Sequence, residues 1–468
     1  MGQANIAKKL ANTTFVYFLA NFSTKILSFL LLPLYTSKLT TAQFGSVDLV
    51  FTVSQFLVPV ISLTIHAAAF RYLVDAKTTQ EKSGIISSSV WMLMCSTVFA
   101  LMVSVVGYFV TDNYYVLFAG IYIVTSVWSN YFLQMYRGLQ HNKTYAVMGV
   151  VNAALHIILN IVFIAGLNMG SISLILSPIL GFVITSLVLL FSNGFYKYIS
   201  LKSNDAEISK NLLKYSLPLI PENIIWWCLG GFSRVYLSFV HGSSVLGIYA
   251  VANKFSDLLI SIYSIFHLAW TEIAYQIYGE KGEDELYSLA YNKISKVMLS
   301  VVMVLIPVTR VVVPSFLNEA YMLSIDYMPV LYVMVFINIL STFYGAGFQC
   351  AKKTAGILIS SSIGAATNVL ACLLLVHRFN VWGTIAAMVL ANIALLICKK
   401  TMSRRFFKIT VQFKNYLLLI PLAVFMGIFY IGDIKMNIAC AVLGMIICVV
   451  ANMDIIKGIL GLFKKKNQ

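Results

Sequence analysis

Long apolar runs separated by short polar connections fill this chain from one end to the other. The runs fall approximately at 12–36, 43–70, 84–110, 114–136, 144–168, 172–196, 211–240, 243–277, 286–314, 326–350, 354–376, 381–398, 415–431 and 436–456. An α-helix needs about 20 mostly apolar residues to cross a hydrocarbon layer about 30 Å thick, and these runs match that length. Backbone groups in lipid have to be paired within their own segment, so each run predicts a helix. The short alternating segments of a membrane barrel are absent. The pattern predicts an all-α polytopic membrane protein with about fourteen transmembrane helices.

The longest polar connection, around 197–210, divides the chain. Six predicted helices precede it, six follow, and two more close the chain. The expected organisation is a lobe at 1–200, a second six-helix lobe at 201–410, and an additional helix pair at 411–468. The turn Phe44-Gly45-Ser46 has a counterpart in Leu246-Gly247-Ile248, and the turn ending Lys143-Thr144 has one ending Lys352-Lys353-Thr354. Both halves start on the same side, so the repeat would be parallel. Its pseudo-two-fold axis would lie along the membrane normal, with a site between the halves as the default expectation.

Composition agrees. Sixty per cent of residues are apolar and 11% charged, against about 25% charged in soluble domains. A formal net charge of +16 on a soluble protein would suggest nucleic acid. Here no nucleic-acid motif is present, and the basic residues set orientation instead. With both termini cytoplasmic, 26 of the 33 basic residues fall to the inner side, whereas only Lys38, Arg378 and Lys435 fall outside. Lys8 and Lys9 precede the first run with no cleavage-site pattern after it, which predicts an uncleaved first helix. The seven cysteines lie in apolar runs without a CxxC pair, so neither a disulfide framework nor a metal site is expected.

The remaining basic residues, Lys25, Arg234, Lys254 and Arg310, fall inside predicted spans. A charge at a helix centre costs about 2.5–3.5 kcal/mol on insertion scales, so each needs a partner or a wet cavity. Arg310 lies near a helix end and is expected to snorkel. Asp257 follows Lys254 at i+3 and is within reach of it. Asp48, His66 and His267 add to a set concentrated on the first hairpin of each half. Pro218 and Pro221 precede Glu222 in the seventh span. Proline removes a backbone donor and clashes with the preceding turn, which predicts a kink and a candidate hinge. Asp48, Asp257, Glu222, His66 and His267 are candidates for cavity or coupling roles, with H+ or Na+ as the coupling ion and no other cofactor. No GxSxG, Walker or HExxH constellation is present, so an enzyme is not expected.

The stretch Phe29-Leu30-Leu31-Leu32-Pro33-Leu34-Tyr35-Thr36, followed by Phe44-Gly45-Ser46-Val47-Asp48-Leu49, resembles the opening hairpin of Wzx-type polysaccharide flippases. So do Leu217-Pro218-Leu219-Ile220-Pro221, Ser233-Arg234-Val235-Tyr236 and Gly247-Ile248-Tyr249-Ala250-Val251-Ala252-Asn253-Lys254 in the second half. The family often places an acidic residue directly before the arginine that matches Arg234; here Ser233 stands there. The resemblance covers nearly the whole chain and implies the multidrug/oligosaccharidyl-lipid/polysaccharide exporter superfamily. It implies a multi-pass protein of a bacterial cell membrane that moves a polyprenyl-pyrophosphate-linked oligosaccharide by alternating access, for O-antigen, capsule or exopolysaccharide. Lys25, Arg234 and Lys254 would meet the pyrophosphate. A polysaccharide polymerase or chain-length regulator is the implied protein partner. The alternatives are a multidrug exporter of the same superfamily, whose cationic cargo a basic cavity repels, and a membrane polymerase or glycosyltransferase.

Overall fold

The computed structural model describes residues 29–200, 205–455 and 457, and these are almost entirely helical. Eleven helices among the described residues are long and apolar enough to cross a membrane. One of them, Ala355–Ser403, runs for 49 residues. At 1.5 Å per residue that is about 75 Å, more than twice a bilayer core. It breaks at Asn380, whose φ of 53° leaves the helical region, so the two spans expected on either side of residue 380 are both accounted for. The first expected span lies mostly outside the described residues, and the total of fourteen stays a sequence expectation.

The chain forms two compact units, 1–247 and 248–468. In the first, the helices are α1 Leu32–Lys38, α2 Thr41–Ile61, α3 Ile65–Asp75, α4 Thr79–Thr111, α5 Tyr114–Gly138, α6 Asn142–Ile161, α7 Ile172–Phe191, α8 Ala206–Ser216, α9 Leu219–Cys228 and α10 Gly231–His241. α11, Ser243–Ile277, begins here and continues into the second unit. That unit adds α12 Glu283–Val312, α13 Ser324–Cys350, α14 Ala355–Ser403, α15 Leu419–Ile431 and α16 Ile434–Ala451.

Capping boxes set two starts in the first unit. Thr40 and Gln43 bond reciprocally at the head of α2, and Thr78 and Glu81 do so at the head of α4. The core of the unit gathers Ile65, Leu73, Leu93, Tyr131, Met135, Tyr136 and Phe195. Within it the Tyr131 hydroxyl bonds the Ser89 hydroxyl at 2.6 Å, an internal pairing of the kind a bilayer demands. The Tyr136 hydroxyl donates to the carbonyls of Leu189 and Ser192, at 2.7 and 2.6 Å, capping the end of α7. Phe99, Val106, Phe109 and Val110 are exposed along α4, an outward apolar face suited to lipid.

Breaks in the helices shape the first unit. The second expected span, 43–70, is interrupted at residues 62–64, where Leu63 and Thr64 have φ of 49° and 52°. Thr64 is β-branched and rarely adopts the left-handed region, so this turn is strained. The seventh expected span, 211–240, is divided into α8, α9 and α10. The first interruption falls at Leu217-Pro218, as proline chemistry predicts. Pro221 sits in the first turn of α9, where backbone N–H groups lack helical partners anyway and proline costs little. The second interruption falls at Leu229-Gly230, where Gly230 has φ −143°.

In the second unit α13 is the enclosed centre: 67% of its most apolar window is buried, against 22% in α4 of the first unit. α14 packs along α13, while α15 and α16 pack on α12. The segment joining α14 to α15 is stitched to α12. Asp284, Ser288 and Asn292 lie one turn apart on α12 and accept from the backbone N–H groups of Lys408, Thr410 and Gln412, at 2.7, 2.9 and 2.8 Å. Four residues of helix rise about 6.0 Å and two of extended chain about 6.6 Å, so the two ladders stay in register.

Candidate functional site

The first candidate site is the meeting of α2 with α10. The Arg234 guanidinium donates through Nη1 to both carboxylate oxygens of Asp48, at 2.9 and 3.2 Å. The side chains are 20% and 9% exposed. Arg234 and Asp48 are 186 residues apart; the sequence singled out Arg234 as a charge within a span and Asp48 as part of the ionisable set on the first hairpin of each half. The pair resolves the departure at Ser233: the acidic partner of Arg234 comes from α2 rather than from the preceding residue.

Small residues make this approach possible. A Cβ on Gly45 would lie 1.8 Å from the Ser243 carbonyl oxygen, and one on Gly247 would lie 2.0 Å from the Thr41 carbonyl oxygen. The start of α2 therefore touches the start of α11 backbone to backbone, a contact only glycine permits. Gly45 and Gly247 are the two glycines that the repeat expected from the sequence matches to each other. Farther along α2, the Trp227 indole of α9 donates to the Thr52 carbonyl at 2.8 Å and its ring lies 4.9 Å from that of Phe56. α2 thus holds both α9 and α10 on either side of the Gly230 break.

The other expected residues are distributed as follows. Lys25 lies outside the described residues. His66 is half-buried in the first turn of α3, just past the strained turn. Glu222, Pro218 and Pro221 are exposed at the start of α9. In the second unit, Lys254 and Asp257 are half-buried on α11 and make no ion pair with each other. The i+3 spacing puts them on one face without bringing their charges together. His267 is half-buried lower on α11, its ring 5.6 Å from Tyr263. Arg310 bonds Asp326 at 3.4 Å and lies 5.6 Å from the Phe429 ring, lining an open cleft of about 550 Å³ with Glu319 and Asp433.

Two features escaped the sequence reading. The Asp48–Arg234 pairing is one. The other is Lys399, assigned there to the cytoplasmic side but 3% exposed inside the second unit. A signal for it exists: Met388, Ala391, Asn392, Leu395 and Lys399 follow helical spacing and are all buried, whereas Lys400 is exposed. Among the described residues no group of His, Cys, Asp and Glu is arranged to hold a metal ion.

Comparison with solved structures finds this fold in an inward-facing multidrug resistance MATE family transporter of the MOP superfamily, 16% identical with a TM-score of 0.65 over 84% of this chain and 95% of that one. The lipid II flippase MurJ, in an inward closed conformation, is 15% identical with a TM-score of 0.65 over 94% of this chain and 100% of that one. A MATE protein in complex with MaL6 is 16% identical with a TM-score of 0.56 over 87% and 96%. At these identities the likeness establishes the fold. No curated protein sequence matches the chain. Residues 10–270, more than half of the chain, match the family described as polysaccharide biosynthesis protein, and the chain belongs to that family.

Proposed function

We propose that this protein is a flippase that carries a polyprenyl-pyrophosphate-linked oligosaccharide from the inner to the outer leaflet of a bacterial cell membrane by alternating access. The observation that carries the proposal is the Asp48–Arg234 pair, set among transmembrane helices of a polysaccharide-biosynthesis family member. A pyrophosphate does not cross about 30 Å of hydrocarbon unaided. Arginine offers it a fork of donors that keeps its charge at any physiological pH.

In the proposed cycle Asp48 and the cargo phosphate compete for Arg234. With the cargo absent, Asp48 neutralises the arginine and keeps a lone charge out of a low-dielectric interior. A phosphate oxygen replaces the carboxylate on loading. H+ or Na+ is the proposed coupling ion, with the Asp48 carboxylate as the group that would bind it once it leaves the guanidinium. Lys254 and Lys25 are proposed to add positive charge along the path, and the breaks at Pro218 and Gly230 to let α9 and α10 tilt as the pair opens. Both termini are proposed to lie in the cytoplasm, a placement that the charge distribution supports. A polymerase that consumes the delivered saccharide is the expected partner.

The test measures lipid-linked saccharide in cells with and without the gene, with the leaflet assigned by an external probe. Accumulation of a polyprenyl-pyrophosphate oligosaccharide in the inner leaflet on deletion, relieved by the wild-type gene but not by Arg234→Gln, is expected. Unchanged amount and sidedness on deletion overturns the proposal and turns attention to drug export.

A further inference from the structure

The second unit contains a row of buried hydrogen-bond donors that the proposal above does not use. Ser256, Tyr263, His267 and Trp270 follow one another on α11 at spacings of seven, four and three, which places them on a single helix face. The Tyr263 hydroxyl, the Trp270 indole N–H and the Ser256 hydroxyl have no hydrogen-bond partner among the described residues. Tyr263 and Trp270 are 4% and 5% exposed. Buried donors are nearly always paired, and the Tyr263 and Trp270 donors, about 10 Å apart along the helix, lie within reach of one acceptor with several oxygens, whereas Ser256 is about 21 Å from Trp270 and lies outside that reach.

Lys399 of α14 is buried in the same unit, near α13. A Cβ on Gly345 of α13 would be 3.9 Å from its Nζ, and its charge acts on His267. The Trp270 ring stacks on Phe343 at 5.1 Å, two residues before Gly345. A phenol, an imidazole and an indole N–H therefore line about two turns of α11, roughly 10 Å of helix, with the Lys399 ammonium of α14 buried in the same unit. Lysine and tryptophan can only donate, and tyrosine and histidine can donate as well. The nearest acidic residue on the same helix, Glu272, is exposed. The complement of such a set is an anionic acceptor with several oxygens.

We propose that Tyr263, His267, Trp270 and Lys399 form a phosphate-binding site for a lipid-linked phosphate within the second unit. This rests on the flippase reading, because the cargo supplies the phosphate. In the proposed topology the site lies toward the cytoplasmic end of α11, where cargo is loaded. A headgroup of an ordinary phospholipid offers the same chemistry, and the test separates the two.

Purified full-length protein in nonionic detergent is titrated with farnesyl pyrophosphate, with farnesol, and with phosphatidylglycerol, and binding is read from the rise in melting temperature. Farnesyl pyrophosphate is expected to stabilise the wild type and farnesol to have no effect. Lys399→Gln is expected to weaken the pyrophosphate at least tenfold, and Tyr263→Phe and Trp270→Phe several-fold each, with Lys399→Arg restoring most of the affinity. Variants are compared after their unliganded melting temperature shows that they fold, and Lys399→Met serves as a second replacement. Wild-type binding left unchanged by Lys399→Gln, Lys399→Met and Trp270→Phe overturns the site and leaves the flippase reading intact. A wild type that binds no prenyl pyrophosphate overturns the cargo reading itself. Equally tight, Lys399-dependent binding of phosphatidylglycerol supports the phosphate site and overturns its assignment to cargo.

Discussion

Asp48 and Arg234 illustrate what one residue can and cannot disclose. Each was conspicuous in the sequence because an ionised side chain in an apolar helix needs a reason. Their pairing was not legible, since hydrophobic periodicity describes each helix separately and carries nothing about a partner 186 residues away. Removing one partner of a fully buried pair costs about 3–5 kcal/mol. Arg234 keeps a fifth of its side chain exposed, so Asp48→Asn is expected to destabilise by less, roughly 1–3 kcal/mol. Melting temperatures in detergent of Asp48→Asn, Arg234→Gln and the double variant check this. If the two charges act as a pair, the double variant loses less than the sum of the single losses. Strict additivity would mean that the contact has no energetic weight. Lys399 teaches a related lesson. Adjacent lysines on a helix point about 100° apart, so a Lys-Lys pair at a helix end sends one charge inward and one outward. Its continuation of the buried stripe from Met388 was visible in the sequence, but the neighbouring Lys400, Arg404 and Arg405 made the whole segment read as a solvated end.

At the level of elements, apolar length was the strongest signal and helix interruption the weakest. The break at Pro218 followed from proline chemistry. The one at residues 62–64 contains neither glycine nor proline, although Pro59 in the preceding turn removes a backbone donor. Tertiary packing has to decide such a site, and a single sequence does not show it. Glycines read as turn markers proved to be crossing points. Gly45→Ala pushes a Cβ to 1.8 Å from a backbone oxygen, which no rotamer change relieves. It is expected to destabilise by about 1–3 kcal/mol, as overpacking typically does. Gly149→Ala in α6 is the matched control, because nothing lies within 4 Å of its Cβ. It should be neutral or gain a few tenths of a kcal/mol from helix propensity. Equal melting temperatures for the two variants would show that α2 and α11 do not cross this closely. The ladder along α12 makes a separate prediction. Asn292 donates to the carbonyl of Thr410 and accepts from the N–H of Gln412, both at 2.8 Å. At about 1 kcal/mol net for each of the two hydrogen bonds, Asn292→Ala should raise the rate of tryptic cleavage at Lys408 about thirtyfold while the melting temperature changes little. An unaltered cleavage rate would mean that Phe407, buried beside Gly347, holds the segment without the ladder.

For the molecule as a whole, the charge alternation makes a stronger claim than any single span, and contacts within each unit agree with it. Lys38 donates to Asn168 at 3.3 Å, and Tyr115 bonds Ser171 at 2.7 Å. All four residues belong to turns or helix ends that the charge tally puts outside. Ser83 donates to the Tyr198 carbonyl at 2.9 Å, joining two ends that the tally puts inside. In the second unit the Lys296 ammonium donates to Asp454 at 2.8 Å and the Lys408 backbone N–H donates to Asp284 at 2.7 Å, again at the inner end, whereas the Tyr430 hydroxyl donates to the Asp326 carbonyl at 2.8 Å at the outer one. Residues assigned to opposite faces would be separated by about 30 Å of hydrocarbon and do not touch. These contacts fix which ends lie together within a unit; the excess of lysine and arginine predicts which of them face the cytoplasm. Single cysteines in a background lacking the seven native ones separate the two inferences. At positions 38, 168 and 433 they should react with a membrane-impermeant thiol reagent in intact cells. At 82, 143 and 408 they should react only after permeabilisation. The reverse pattern would invert the orientation and leave the fold untouched. Mixed labelling within either group would instead show a miscounted span, because each added or lost helix exchanges inside for outside in everything that follows it.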